Sequence, residues 1–179
     1  NFFTVGGRHF GSFVAGISQL TINGVPATFP DPACGNTWTD SQIIMVVPAG
    51  ATSGPARVTN SANYSDSTND SRGPVIADFL INNIARPGLC QATPAEGPFQ
   101  TPVNLLGIRF GPANSFRTIE FGNDVSFVTA DNIVWIDNEN ANMRVPNIVA
   151  GNTSIRVRVD GIRSNYLNFR VLSGTAGGP

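Results

Sequence analysis

Few of the side chains that commonly do chemistry occur in this sequence. His9 is the only histidine, Cys34 and Cys90 are the only cysteines, and with no lysine all 11 basic residues are arginine. A lone imidazole, with no second histidine and no cysteine cluster, assembles no zinc site and leaves a Ser-His-Asp arrangement unsupported. Asp31, Asp40, Asp66, Asp70, Asp137 and Glu139 lie in turn-rich stretches, where short acidic side chains hold backbone turns. Paired carboxylates for glycoside hydrolysis would need a cleft between them, which spacing does not reveal. Oxygen ligands crowd "YSDSTNDS" (64–71) and "DNEN" (137–140), but neither has the spacing of an EF-hand or a Gly-Asp-rich calcium repeat. The expectation is a chain with no catalytic residues, no metal ligands and no cofactor.

Binding chemistry has more candidates. Trp38 and Trp135 precede two similar "VP" segments and either stack on sugar rings or close an apolar core. Asn63, Asn69 and Asn152 each open an Asn-x-Ser/Thr triplet, the acceptor pattern for N-linked glycans. A net charge of −1 makes no electrostatic case for nucleic acid or an acidic membrane surface. No apolar run reaches the length of a membrane helix, so membrane insertion is not expected. The start, "NFFTVGG", lacks a basic leader and an initiator Met and reads as a piece of something longer.

The elements that must position these residues are strands. In "TSIRVRVDG", Ile155, Val157 and Val159 alternate with Arg156, Arg158 and Asp160; in "LNFRVL", Leu167, Phe169 and Val171 alternate with Asn168 and Arg170. "SQLTINGV" and "RTIEFGND" show the same period of two, which marks half-buried antiparallel strands. Charged residues make up 13%, with 19 Gly and 13 Pro, against roughly 25% charged in average proteins. The fold class is all-β.

The chain also repeats itself. "RHFG" at 8–11 recurs as "IRFG" at 108–111, "VP" at 47–48 as 145–146, and "RV" at 57–58 as 156–157. Three anchors in one order, 98 to 100 residues apart, imply two copies of one unit. Gly7, Gly11, Gly107 and Gly111 are placed at strand ends and turns, with Phe10 and Phe110 as core plugs. A phosphate-binding loop would need a helix to follow, and none is expected.

"GGRHFGS", "LTINGVPAT", "TWTDSQIIMVVPAG" and "TSGPARV", in that order, resemble an IPT/TIG domain, an immunoglobulin-like β-sandwich. "LGIRFG", "IEFGND", "TADNIVWI", "MRVPN" and "SIRVRV" form a more divergent second copy. The resemblance implies two tandem sandwiches over 1–78 and 79–172 with a flexible tail over 173–179. It places tryptophan in the core, against the stacking role. It also implies that the first unit lacks its opening strand, for which "INNIARPG" (81–88) serves in the second. That strand would come from another chain or from upstream sequence. Cys34 and Cys90 lie in Pro-rich insertions outside the family pattern, and a disulfide is expected between them. The function implied is a non-catalytic structural or adhesive module pair of an extracellular surface protein or fibre, whose partners are copies of itself or neighbouring repeats. The alternative is a carbohydrate-binding accessory module of a polysaccharide-active enzyme.

Overall fold

A computed structural model describes residues 1–70, 78–122 and 125–176. The chain is all-β and forms two compact units, Phe3–Ala85 and Arg86–Pro179, with Asn1–Phe2 counted in the second. No helix among the described residues is long and apolar enough to cross a membrane.

The first unit contains β1 (Phe2–Gly6, all but its first residue), β2 (Gln19–Ile22), β3 (Val25–Pro26), β4 (Gln42–Val46), β5 (Ala56–Thr59) and β6 (Ser65–Ser67). β1 pairs with β4, and a second sheet runs in the order β3-β2-β5-β6. Isolated bridges join Trp38 to Ile43 and Thr28 to Val46. The sheets are held together by Phe3, Trp38, Ile43 and Met45 from one layer and Leu20, Ile22 and Val58 from the other.

The second unit contains β7 (Gly88–Thr93), β8 (Glu96–Phe99), β9 (Pro102–Ile108), β10 (Arg117–Gly122), β11 (Phe127–Thr129), β12 (Asp131–Trp135), β13 (Asn140–Arg144), β14 (Gly151–Val159), β15 (Ile162–Arg163) and β16 (Leu167–Thr175). One sheet is β12-β13-β9-β7. The other is β11-β10-β14-β16-β8, with β15 paired to β14. Val103, Leu105, Ala141 and Met143 from the first sheet and Ile119, Phe121, Ile155, Val157 and Phe169 from the second are buried. Each unit is thus an immunoglobulin-like β-sandwich, two sheets with their apolar faces together.

Register shows the duplication most clearly. Leu20 opposes Val58 and Ile22 opposes Ala56 in the first unit; Ile119 opposes Val157 and Phe121 opposes Ile155 in the second, each 99 residues on. β9 lies between β13 and β7, whereas β1 has β4 as its neighbour in a two-stranded sheet.

The motif that opens each copy folds the same way twice. His9 and Arg109 both take left-handed backbone, with φ of 62° and 57°, as do Gly11 and Gly111. The Phe10 N–H donates to the Asp40 carbonyl at 3.1 Å and the Phe110 N–H to the Asn138 carbonyl at 2.8 Å. The next amide, of Gly11 or Gly111, donates to the side chain of that same Asp40 or Asn138. This corner turns the phenyl ring back over the glycine three residues earlier. A Cβ on Gly7 would run into the Phe10 ring, and one on Gly107 would strike both the Phe110 ring and the Gly88 carbonyl oxygen.

Two expected boundaries move. The first unit runs to Ala85 rather than ending at 78, because Phe79 completes its core. The Phe79 N–H donates to the Gly54 carbonyl at 2.7 Å, and its carbonyl accepts from Gly54 N–H at 3.1 Å. Its ring lies 5.1 Å from that of Phe3. Ser173, Gly174 and Thr175, expected to lie in a flexible tail, belong to β16. Positions 71–77, on which the expected boundary partly falls, and 177–179 lie outside the described residues.

Gly107→Ala is expected to destabilise the fold by about 2–3 kcal/mol, because its clash includes backbone. Gly7→Ala should cost about 1 kcal/mol or less, since the half-buried Phe10 ring can give way. Chemical denaturation of the two variants checks the difference.

Candidate functional site

Two surfaces combine features that bind ligands, one in each unit. The first is a groove of about 470 Å³ in the first unit. Val5, Phe10, Ala56 and Val58 supply its apolar lining, while β6 and Tyr64, 75% exposed, supply polar and aromatic groups. In the second unit the positions matching those four are Leu105, Phe110, Ile155 and Val157, all at most 2% exposed. Val5 and Phe10 are only half-buried.

The second surface is the outer face of the larger sheet in the second unit. Ile119, Phe121, Ile155, Val157, Leu167 and Phe169 point into the core, so the residues between them share the opposite face. There Glu120 stands across from Arg156, Arg158 across from Arg163, and Asn152 across from Arg170. Glu120, only 4% exposed, accepts a 3.2 Å hydrogen bond from Arg163 Nε, and its other oxygen lies 3.6 Å from Arg158 Nε. The Arg158 and Arg163 guanidinium carbons lie 5.8 and 5.1 Å from the Phe127 ring centre, and that of Arg156 lies 5.6 Å from Tyr166. Arg170 lies 3.8 Å from Glu96. Among the described residues, Arg156, Arg158, Arg163 and Arg170 share this face with Glu120 and Glu96. Planar guanidinium forks held over rings suit carboxylates and flat sugar faces.

Trp38 and Trp135 do occupy matching places, paired with Ile43 and Ala141 on equivalent strands. The stacking role does not hold for Trp38, which is 1% exposed and packs 5.4 Å from Phe13 in the first core. Trp135 is half-buried. Phe110 meets it at 5.7 Å, and the Arg117 guanidinium carbon lies 4.8 Å from its ring centre. Cys34, at the end of the short 3-10 turn Pro32–Cys34, and Cys90, at a bulge in β7, are both buried and disulfide-bonded. His9 is exposed, and its carbonyl accepts from Asn60 Nδ2 at 3.1 Å.

Asn63, Asn69 and Asn152 are exposed. The serine that completes the Asn69 triplet lies outside the described residues. In the "DNEN" loop, Asp137 accepts from the amides of Glu139 and Asn140, each at 2.7 Å, and from the Asn140 side chain. These hydrogen bonds, that from the Glu139 amide foremost, hold its carboxyl below the usual range. The loop's acid therefore serves a turn. No group of three or more potential metal ligands occurs among the described residues.

No protein-family model and no curated protein matches this chain. Solved structures with similarity include surface glycan-binding protein PbSGBP-B from Prevotella bryantii, 17% identical over 92% of this chain, with a TM-score of 0.36. SGBP-B from a complex xyloglucan utilization locus in Bacteroides uniformis is 14% identical over 93%, with a TM-score of 0.38. The Gamma-CGTase of an alkalophilic Bacillus clarkii is 17% identical over 97%, with a TM-score of 0.43. The chain spans 35%, 44% and 21% of the lengths of these proteins.

Glu120→Ala should destabilise the protein by about 1–2 kcal/mol, since it removes the buried carboxylate that pairs with Arg163 and lies beside Arg158, both themselves partly solvated. Glu120→Gln, which keeps one hydrogen-bond acceptor, should cost less. Urea unfolding of the pair tests this.

Proposed function

We propose that this chain is a non-catalytic binding module pair that holds polysaccharide on the outer sheet face of its second unit, favouring sugars that carry carboxylates. The observation that carries the reading is the arginine face: Arg156, Arg158, Arg163 and Arg170 set beside Phe127 and Tyr166. Guanidinium groups pair bidentately with carboxylates, and ring faces pack against the apolar side of a pyranose. An extended face on rigid strands fits a polymer better than a small, fully enclosed substrate. Buried disulfide cysteines accord with an oxidising, extracellular location.

A structural or adhesive role is the second reading, and the tandem repetition in one register favours it. Its partners would be protein, as copies of this chain or neighbouring repeats. The two readings separate on whether isolated polysaccharide binds.

Affinity electrophoresis or calorimetry with polygalacturonate is the direct test, with xyloglucan, mixed-linkage glucan and duplex DNA as comparators. Saturable, polygalacturonate-preferring binding is expected. Combined Arg156→Ala and Arg158→Ala should weaken it about tenfold or more, from the loss of charge-assisted hydrogen bonds. Equal binding to DNA would reduce the face to charge alone, and absence of binding to every glycan would refute the reading.

A further inference from the structure

The outer face of the larger sheet in the second unit extends one row beyond its arginines. Arg117 opens β10 with its guanidinium carbon 4.8 Å from the ring centre of Trp135, on the facing sheet. The residue before it therefore projects outward, as Thr118 and Glu120 do. That residue is Phe116. Its N–H donates to Asp160 Oδ1 and its carbonyl accepts from the Asp160 N–H, each at 2.8 Å. These bonds carry the β10–β14 pairing one step past Arg117 and Val159. The Phe116 ring is 71% exposed. Phe127 and Tyr166 have arginine guanidinium groups against them. Among the described residues, no ring or guanidinium lies against Phe116. Nor does the fold require an aromatic ring there. By the repeat Phe116 matches Ile17, an aliphatic side chain 44% exposed, three residues before the paired Leu20 as Phe116 is before Ile119.

Building on the reading of this face as a glycan site, we propose that Phe116 is its end subsite. One sugar ring of the acidic polysaccharide stacks there, and that ring is one without a carboxylate. From Asn152 to Asp160 the face runs about 27 Å along β14, room for several sugar residues in line with the strand. Arginines hold carboxylates over the middle and far end, while the phenyl ring takes the C–H face of a pyranose at the near end. The charge beside Phe116 is the Asp160 carboxylate, and Arg158, one row in, already lies beside Glu120. A second carboxylate is repelled there, so a neutral residue is the better occupant. Affinity then rises once a chain is long enough to reach from the arginines to Phe116.

Calorimetry of the intact, oxidised 179-residue protein with trigalacturonate and hexagalacturonate tests this. The hexamer should bind more tightly than the trimer. Phe116→Ala should weaken the hexamer about fivefold or more while leaving trimer affinity unchanged, which also shows that the arginines remain in place. Phe116→Ile, which installs the first unit's residue, should behave as Phe116→Ala does. A hexamer methyl-esterified at both terminal residues presents a neutral ring whichever end meets Phe116. It should lose more affinity from Phe116→Ala than the fully acidic hexamer loses. Equal weakening of trimer and hexamer, or no weakening of either, would overturn the stacking subsite while the glycan reading of the face stands. Equal losses for the esterified and acidic hexamers would overturn its preference for a neutral ring. Absence of binding by both acidic oligomers would overturn the glycan reading and the subsite together.

Discussion

Each sandwich depends on a corner in which a phenylalanine folds back over a glycine. Phe10 and Phe110 follow a residue in left-handed conformation and precede a glycine in the same region. Their amides are held by the loop that leads into the next strand of the sheet. The ring closes the space between the sheets only because position 7 or 107 carries no Cβ. Burial of such a ring contributes roughly 1.5–3 kcal/mol, and the hydrogen bonds set the direction in which the strand leaves the core. That one geometry explains why glycine, phenylalanine and glycine recur about a hundred residues apart.

The two copies then diverge according to what covers the corner. In the second unit β7 lies beside β9, and Phe110, Leu105 and Val157 are almost wholly buried. In the first unit the same sites form a groove. Among the described residues β1 pairs with β4, and Val5 and Phe10 keep solvent contact. The outer face of the second unit diverges in another way. Arg156 matches Arg57 of the first unit, whereas Arg158 stands where β5 carries Thr59. Function on this fold therefore lies in what has been added to the shared frame.

Much of the frame was legible. Ile155, Val157, Leu167 and Phe169 alternate in the sequence, and all four are buried on paired strands. The repeat anchors translate into identical strand registers. Trp38 was legible as core through the motif around it. The end of the first unit was not, because Phe79 makes one bridge with Gly54 beyond a polar stretch that obscures the strand pattern. Arginine alternation pointed to a face away from the core. Its rings come from β11 and from Tyr166, which only long-range pairing brings there. The groove follows no residue pattern of its own, and in the sequence only the family resemblance, which leaves the first unit without an opening strand, bears on it.

An NMR titration of the intact protein with a short oligogalacturonide tests most directly whether the arginine face of the second unit holds glycan, as proposed. Shifts are expected to concentrate on the Arg156, Arg158, Arg163 and Arg170 side chains and on Asn152 and Asn168, with the first-unit groove unmoved. Shifts centred on Tyr64 and His9, or none at saturating sugar, would contradict it.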